Sequence, residues 1–300
     1  MNMENSDHQK QYLERARNEL TEHLVYHKLS LAEENPSNRA LLEKLSAQEK
    51  THYEFWKGLL PADTAIEPHW LGLHGTPFLC AVLGVTFTTK FLETHERGSV
   101  TTYTDMLAGL APAQQSRLKE IIEDEKSHEN ALLGQLTERR VAYIGFVALG
   151  LADAIVEITG VHAGFLGVTG STLVAGISGI IVGFAAAISM GSAAYIQAKQ
   201  DPDKSPIISA VITGVSYMSA VICLALPYFF IRTMITAFTI STLIGLTLLA
   251  SFTFYGAVAF DRKFSREFGE SAILMLATAL ATYILGRGVS GIFHVGLNNF

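Results

Sequence analysis

The chain has 300 residues, 49% of them hydrophobic and 17% charged, with a formal net charge of −6. A soluble globular protein carries about 25% charged residues, so the chain is not an ordinary soluble enzyme, and its acidic balance excludes a basic nucleic-acid binder. Residues 1–140 hold 36 of the 50 Asp, Glu, Lys and Arg residues, and residues 141–300 hold 14, seven of each sign. Two unlike domains are therefore expected, 1–140 and 141–300. The two cysteines, Cys80 and Cys223, are far apart and exclude a disulfide framework or a Cys-based zinc site. The polar start, Met1 to Gln11, has neither the basic nor the apolar region of a secretory signal.

The composition of the first half predicts helices over 9–34, 37–58, 77–109 and 113–140. The breaks are Asn35-Pro36, a connection from Leu59 to Thr76, and Ala111-Pro112. The last helix has no breaker before Phe146 and is expected to run on into the second half. A repeat runs through the four helices. Glu19 is followed seven residues later by Tyr26, and Glu96 seven later by Tyr103. Glu49-Lys-Thr-His52 and Glu125-Lys-Ser-His128 are both E-x-x-H, at separations of 30 and 29 residues from Glu19 and Glu96. Residues three apart share a helix face. One Glu from each of two helices plus an E-x-x-H from each of the other two is the donor set of di-metal carboxylate bundles. Carboxylate and imidazole together suit iron or manganese. Glu93 faces the same way as Glu96 and is a further candidate ligand. A single E-x-x-H is a common product of an acidic helix; two at matched separation are not. His23, one turn from Glu19, is read as a surface residue with the site as the alternative. His8, His27, His69, His74 and His95 are read as surface or packing residues.

The second half predicts five membrane spans, about 141–167, 172–197, 206–230, 233–259 and 270–296, each long enough for a bilayer core of ~20 residues. Soluble helices of this length show a polar face, and these do not. Arg139, Arg140, Lys199, Lys204, Arg262, Lys263 and Arg266 fall on one side, which places the N-terminus in the cytoplasm and the C-terminus outside. Gly179, Gly183, Ala187 and Gly191 form a small-residue face that lets two helix backbones approach closely. Inside the first span, Asp153 and Glu157 lie one turn apart on one face. Ionisable residues inside a span are functional candidates. Two such acids suit a divalent-cation path and proton exchange, because a buried carboxyl can alternate between protonated and metal-bound forms. Met190 adds a soft donor that favours transition metals over Mg²⁺ and Ca²⁺. His162, further along the same span, is a candidate exit ligand.

Glu19, Glu49, His52, Glu93, Glu96, Glu125 and His128 carry a resemblance to the rubrerythrin branch of ferritin-like proteins, without the rubredoxin-type Cys-x-x-Cys iron site. The second half resembles the vacuolar iron transporter family in two stretches. They are Gly150-Leu-Ala-Asp153-Ala-Ile-Val-Glu157-Ile-Thr-Gly160 and Ala187-Ile-Ser-Met190-Gly-Ser-Ala-Ala-Tyr195. Members of that family line their transport path with an Asp and a Met at the positions of Asp153 and Met190. The fusion of the two halves resembles bacterial membrane-bound ferritins.

The resemblance implies an all-α protein, a ferritin-like four-helix bundle followed by a five-helix membrane domain. It implies a di-iron centre (manganese the alternative metal), a homodimer and a bacterial inner membrane. The expected function is export of Fe²⁺ or Mn²⁺ from the cytoplasm, coupled to protons. Metal is captured by the first domain and moved through Asp153, Glu157 and Met190. Ferroxidase or peroxidase turnover at the di-iron centre stays open. The rival expectation is a membrane-anchored di-iron redox enzyme, a peroxidase or a quinone-linked oxidase or hydroxylase.

Overall fold

The computed structural model describes residues 2–127, 139–260 and 262–293, with side chains throughout except at 2–7, 93–102, 105, 108, 126–127 and 139–142. Among the described residues there are ten α-helices and no strand. The chain divides into two compact units, Met1–Glu138 and Arg139–Phe300.

The first unit begins with α1 (Asn2–Ala32) and α2 (Pro36–Gly58), which pack on each other. Pro36 takes the first helical position, where its missing N–H is no loss. The Asn35 side chain caps α2 by accepting from the backbone N–H groups of Ser37 (2.9 Å) and Asn38 (3.3 Å). Such a cap is worth about 1 kcal/mol. Val25, Tyr26 and Leu29 of α1 and Leu41, Leu42 and Leu45 of α2 form one buried core with Val85. A second core joins Ala16, Trp56, Tyr103, Met106, Leu118 and Ile121.

The single helix expected over 77–109 is two helices, α3 (Trp70–Leu83) and α4 (Val85–Met106), followed by a 3₁₀ turn at Leu107–Gly109. Gly84 separates them at φ 93°, a conformation that glycine adopts without the cost a Cβ brings. The helix also starts earlier than expected. The Gly-rich stretch after Trp70 reads as loop, but tertiary contact holds it helical. Thr21 of α1 accepts a hydrogen bond from the His69 backbone N–H at 2.9 Å. A Cβ on Gly72 would lie 2.7 Å from the Thr21 methyl, so Gly72 permits α3 to approach α1 closely. The fourth expected helix is α5 (Pro112–Ser127). Residues 128–138 lie outside the described residues, and with them the expected run-on into the first span.

The second unit consists of α6 (Arg139–Val168), α7 (Thr172–Ala198), α8 (Pro206–Phe230), α9 (Met234–Ala259) and α10 (Phe264–Phe293). All five are long and apolar enough to cross a membrane. The 27 residues of α7 reach about 40 Å, against a hydrocarbon core of about 30 Å. Large apolar side chains such as Ile181, Ile222 and Ile284 point outward, a cost in water and none in lipid. α10 starts before the expected 270. Its first turns carry charge, and Arg266 Nε donates to Glu270 Oε1 at 2.8 Å, an i,i+4 pair that steadies a helix end.

The small-residue face of α7 is filled by its own chain. A Cβ on Gly176 would lie 2.9 Å from Tyr228 Cβ, and one on Gly183 2.5 Å from Val221 Cγ1. A Cβ on Gly191 would lie 3.1 Å from the Ala210 carbonyl oxygen. These glycines let α7 pack directly on α8. Gly183→Ala is therefore expected to destabilise the protein by about 1–3 kcal/mol through overpacking. Val221→Ala in the same chain should recover part of that loss. Thermal unfolding in detergent checks it; an unchanged Gly183→Ala midpoint would show that the helices do not approach as closely as described.

Candidate metal centre

Glu19 projects from α1, Glu49 and His52 from successive turns of α2, and Glu125 from α5. One ligand atom from each lies within 4.8 Å of the others, and all four side chains are buried. His52 Nδ1 is 3.1 Å from Glu49 Oε2, 3.2 Å from Glu125 Oε1 and 3.7 Å from Glu19 Oε2. The E-x-x-H spacing explains the α2 pair, since three residues make slightly less than one turn. The apolar core that includes Trp56, Tyr103 and Ile121 joins α1, α2 and α5 beside it. Tyr103 of α4 donates its hydroxyl hydrogen to Glu19 Oε1 at 2.7 Å.

Burial raises Glu19, but hydrogen bonds from His52 and Tyr103 and the His52 charge outweigh it and hold the carboxyl below its ordinary value. Burial likewise raises Glu49, and here the charges of Glu125 and Glu19 add to it, so Glu49 stands well above the usual carboxylate range. Burial would lower His52, yet hydrogen bonds to Glu125, Glu19 and Glu49 raise it far above the usual imidazole value. The site holds protons tightly because it collects negative charge where water is absent. Carboxylates in such a place need compensation, by protons or by a bound cation. Three carboxylates and one imidazole could hold a metal ion.

Of the seven expected ligands, Glu19, Glu49, His52 and Glu125 come together. Glu93, Glu96 and His128 fall outside the residues whose side chains are described. His23 bonds Ser46 instead, with Nδ1 2.8 Å from its carbonyl oxygen. Two residues of the site escaped the sequence reading. Tyr103 stood in the repeat as a marker, but its role as donor to Glu19 depends on a contact between residues 84 apart in the chain. Asp124, half-exposed, places Oδ2 3.7 Å from His52 Nε2; its only signal is adjacency to Glu125.

In the second unit Asp153 and Glu157 are both half-buried on α6. Tyr217 of α8 donates to Glu157 Oε2 at 2.5 Å. Glu157 also lines an open, largely apolar groove of about 470 Å³ with Gly160, Gly164, Thr278 and Thr282. Met190 packs on the apolar core that contains Ile155, Tyr217 and Met275. His162 is wholly buried and is not among the residues that line this groove. Its ring lies 4.1 Å from that of Tyr228, and a Cβ on Gly179 would lie 2.4 Å from its Nε2. No protein-family model matches the chain, and no curated protein matches it.

Metal binding at the cluster must displace protons from His52 and Glu49, whose affinity for them is raised. The sign follows: apparent affinity for Mn²⁺ rises with pH, about tenfold per unit for each proton displaced. Calorimetric titration in buffers of different ionisation enthalpy checks it. Binding without proton release, or Mn²⁺ affinity unchanged in Glu49→Gln, would contradict the assignment. For Glu19→Ala the affinity should fall by at least about 10–100-fold, the range seen even for outer-shell partners.

Proposed function

We propose that the chain exports a divalent transition metal, Fe²⁺ or Mn²⁺, from the cytoplasm, with capture in the first unit and passage through the second. One observation carries the reading: a membrane-spanning helix bears two acids on one face, Asp153 and Glu157, one of which lines an open groove and is bonded by Tyr217. Acids inside a span are costly and are retained for ion or proton movement. The buried cluster of Glu19, Glu49, His52 and Glu125 supports capture in the same chain. Met190, within the same helical assembly, supports selection against Mg²⁺ and Ca²⁺.

In this reading the first unit is a ferritin-like bundle and Glu93, Glu96 and His128 complete a di-iron set with the four clustered residues. When bound, the resident metal pair supplies Lewis acidity and one-electron redox chemistry. The protein's own residues bind and orient it, and Tyr103 holds the Glu19 carboxylate in place. Asp153 and Glu157 take up the ion from the cytoplasmic side. They return to the protonated form as it leaves, which couples export to inward proton movement. The reading includes a homodimer in a bacterial inner membrane. Because the small-residue face of α7 is occupied inside the chain, a second copy has to use another surface.

The test is Fe²⁺ and Mn²⁺ flux into inside-out proteoliposomes across an imposed pH gradient. Asp153→Asn and Glu157→Gln should abolish flux, and Tyr217→Phe should reduce it. A Glu49→Ala/Glu125→Ala variant should keep flux at saturating metal and lose it at low metal. Undiminished flux through Asp153→Asn would sink the path, and wild-type flux at low metal from the double variant would sink the capture role. Metal-dependent peroxide turnover with no flux would favour the redox enzyme.

A further inference from the structure

The first unit contains a continuous file of oxidisable rings that leads from the carboxylate cluster to its surface. Tyr103 is bonded to Glu19 at 2.7 Å. Its ring centroid is 5.0 Å from that of Trp56, tilted by 44°. Trp56 is 5.9 Å from Tyr12, tilted by 30°. Tyr12 is half-buried, and exposed His8 stacks beside it at 6.3 Å. Tyrosine and tryptophan are the aromatic side chains that give up an electron at accessible potentials; phenylalanine is not.

Packing alone does not account for Trp56. Its side chain is wholly buried, and its Nε1 has no hydrogen-bond partner among the described residues. A buried indole ordinarily finds an acceptor, and leaving it without one costs about 1–3 kcal/mol. Phenylalanine would bring an apolar ring to the same place with no donor left to satisfy. A buried donor left in this way calls for a specific explanation, and a redox role is one.

We propose that Tyr103, Trp56 and Tyr12 form an electron-transfer relay between the carboxylate cluster and the surface of the first unit. The oxidant is a peroxide at the cluster, and the reductant is a one-electron donor that meets Tyr12. Tyr103 gives one electron to the peroxide, and its phenolic proton crosses to Glu19 Oε1. Glu19 Oε1, already hydrogen-bonded to the hydroxyl, is the acceptor the geometry supplies for that proton. Trp56 then passes one electron to Tyr103, which takes its proton back from Glu19. The Trp56 cation is reduced by Tyr12, which releases its phenolic proton to solvent. The external donor and a solvent proton restore Tyr12. Two passages deliver two electrons, and with two protons from solvent one hydrogen peroxide becomes two waters. The physiological use of the relay rests on the cluster being a metal centre; conduction along the rings does not.

The test therefore uses the full chain in detergent, free of metal. A ruthenium polypyridyl photo-oxidant is attached at His8→Cys in a Cys80→Ser/Cys223→Ser background. A flash with an electron-accepting quencher then oxidises Tyr12 from outside. Electron paramagnetic resonance with ring-deuterated tyrosine or tryptophan identifies the radical. The expected result is a neutral radical on Tyr103 that disappears in Tyr103→Phe. In Trp56→Phe the radical should stay on Tyr12, and in Tyr12→Phe the Tyr103 signal should be lost, although both substitutions keep an aromatic ring in place. Wild-type yield of the Tyr103 radical in either variant, or a radical confined to Tyr12 in the parent chain, overturns the relay. Mn²⁺ titration of the same proteins reports the cluster separately. Loss of metal binding with conduction intact would count against the capture reading and leave the relay standing.

Discussion

Negative charge enclosed away from water is the constraint around which the first unit is built. In the first unit three carboxylates share one small space with a single imidazole, and Glu49 is wholly buried. Each ion removed from water costs several kcal/mol before compensation. The two apolar cores that flank the site offset that cost and hold α1, α2 and α5 at the separation the cluster needs. Protons on His52 and Glu49 are one way to neutralise the site and a divalent cation is another, so occupancy and acidity are linked. In the second unit the same difficulty is met more lightly. Glu157 keeps one oxygen on the Tyr217 hydroxyl and remains only half-buried.

Much of this is written locally in the chain. The charge count by position separates the units, because a helix in lipid excludes charge residue by residue. E-x-x-H brings Glu49 and His52 to one face wherever the helix goes. What depends on contact between distant segments was not legible. Trp70 to Gly75 reads as loop because glycine is a poor helix former, yet Thr21 and Gly72 fit together and hold it helical. Gly84 looks like any other glycine, but its positive φ divides one expected helix into two. Tyr103 was visible as a repeat marker, while its partner Glu19 is 84 residues away. The face of Gly179 and Gly183 was visible as a surface of close approach, but not which helix approaches it.

The glycines illustrate how one residue type serves opposite ends. Gly84 is used for a backbone angle, and Gly72 and Gly183 for the absence of a side chain. Only neighbours in space distinguish the two uses. The buried aromatic rings carry a similar double reading, since Trp56 and Tyr103 are at once the centre of a core and the immediate neighbours of the carboxylates.

The division of α7 has a consequence for how this protein can change. One face meets Val221, Tyr228 and His162 with no room for a methyl group, while Ile177, Ile181, Phe184 and Ile188 look outward. The inner face is locked to glycine and alanine, and it can change only when α6 or α8 changes in the same step. The steric constraint along this helix is thus striped, with a period near 3.6 residues, and each locked position is tied to a particular partner on another helix.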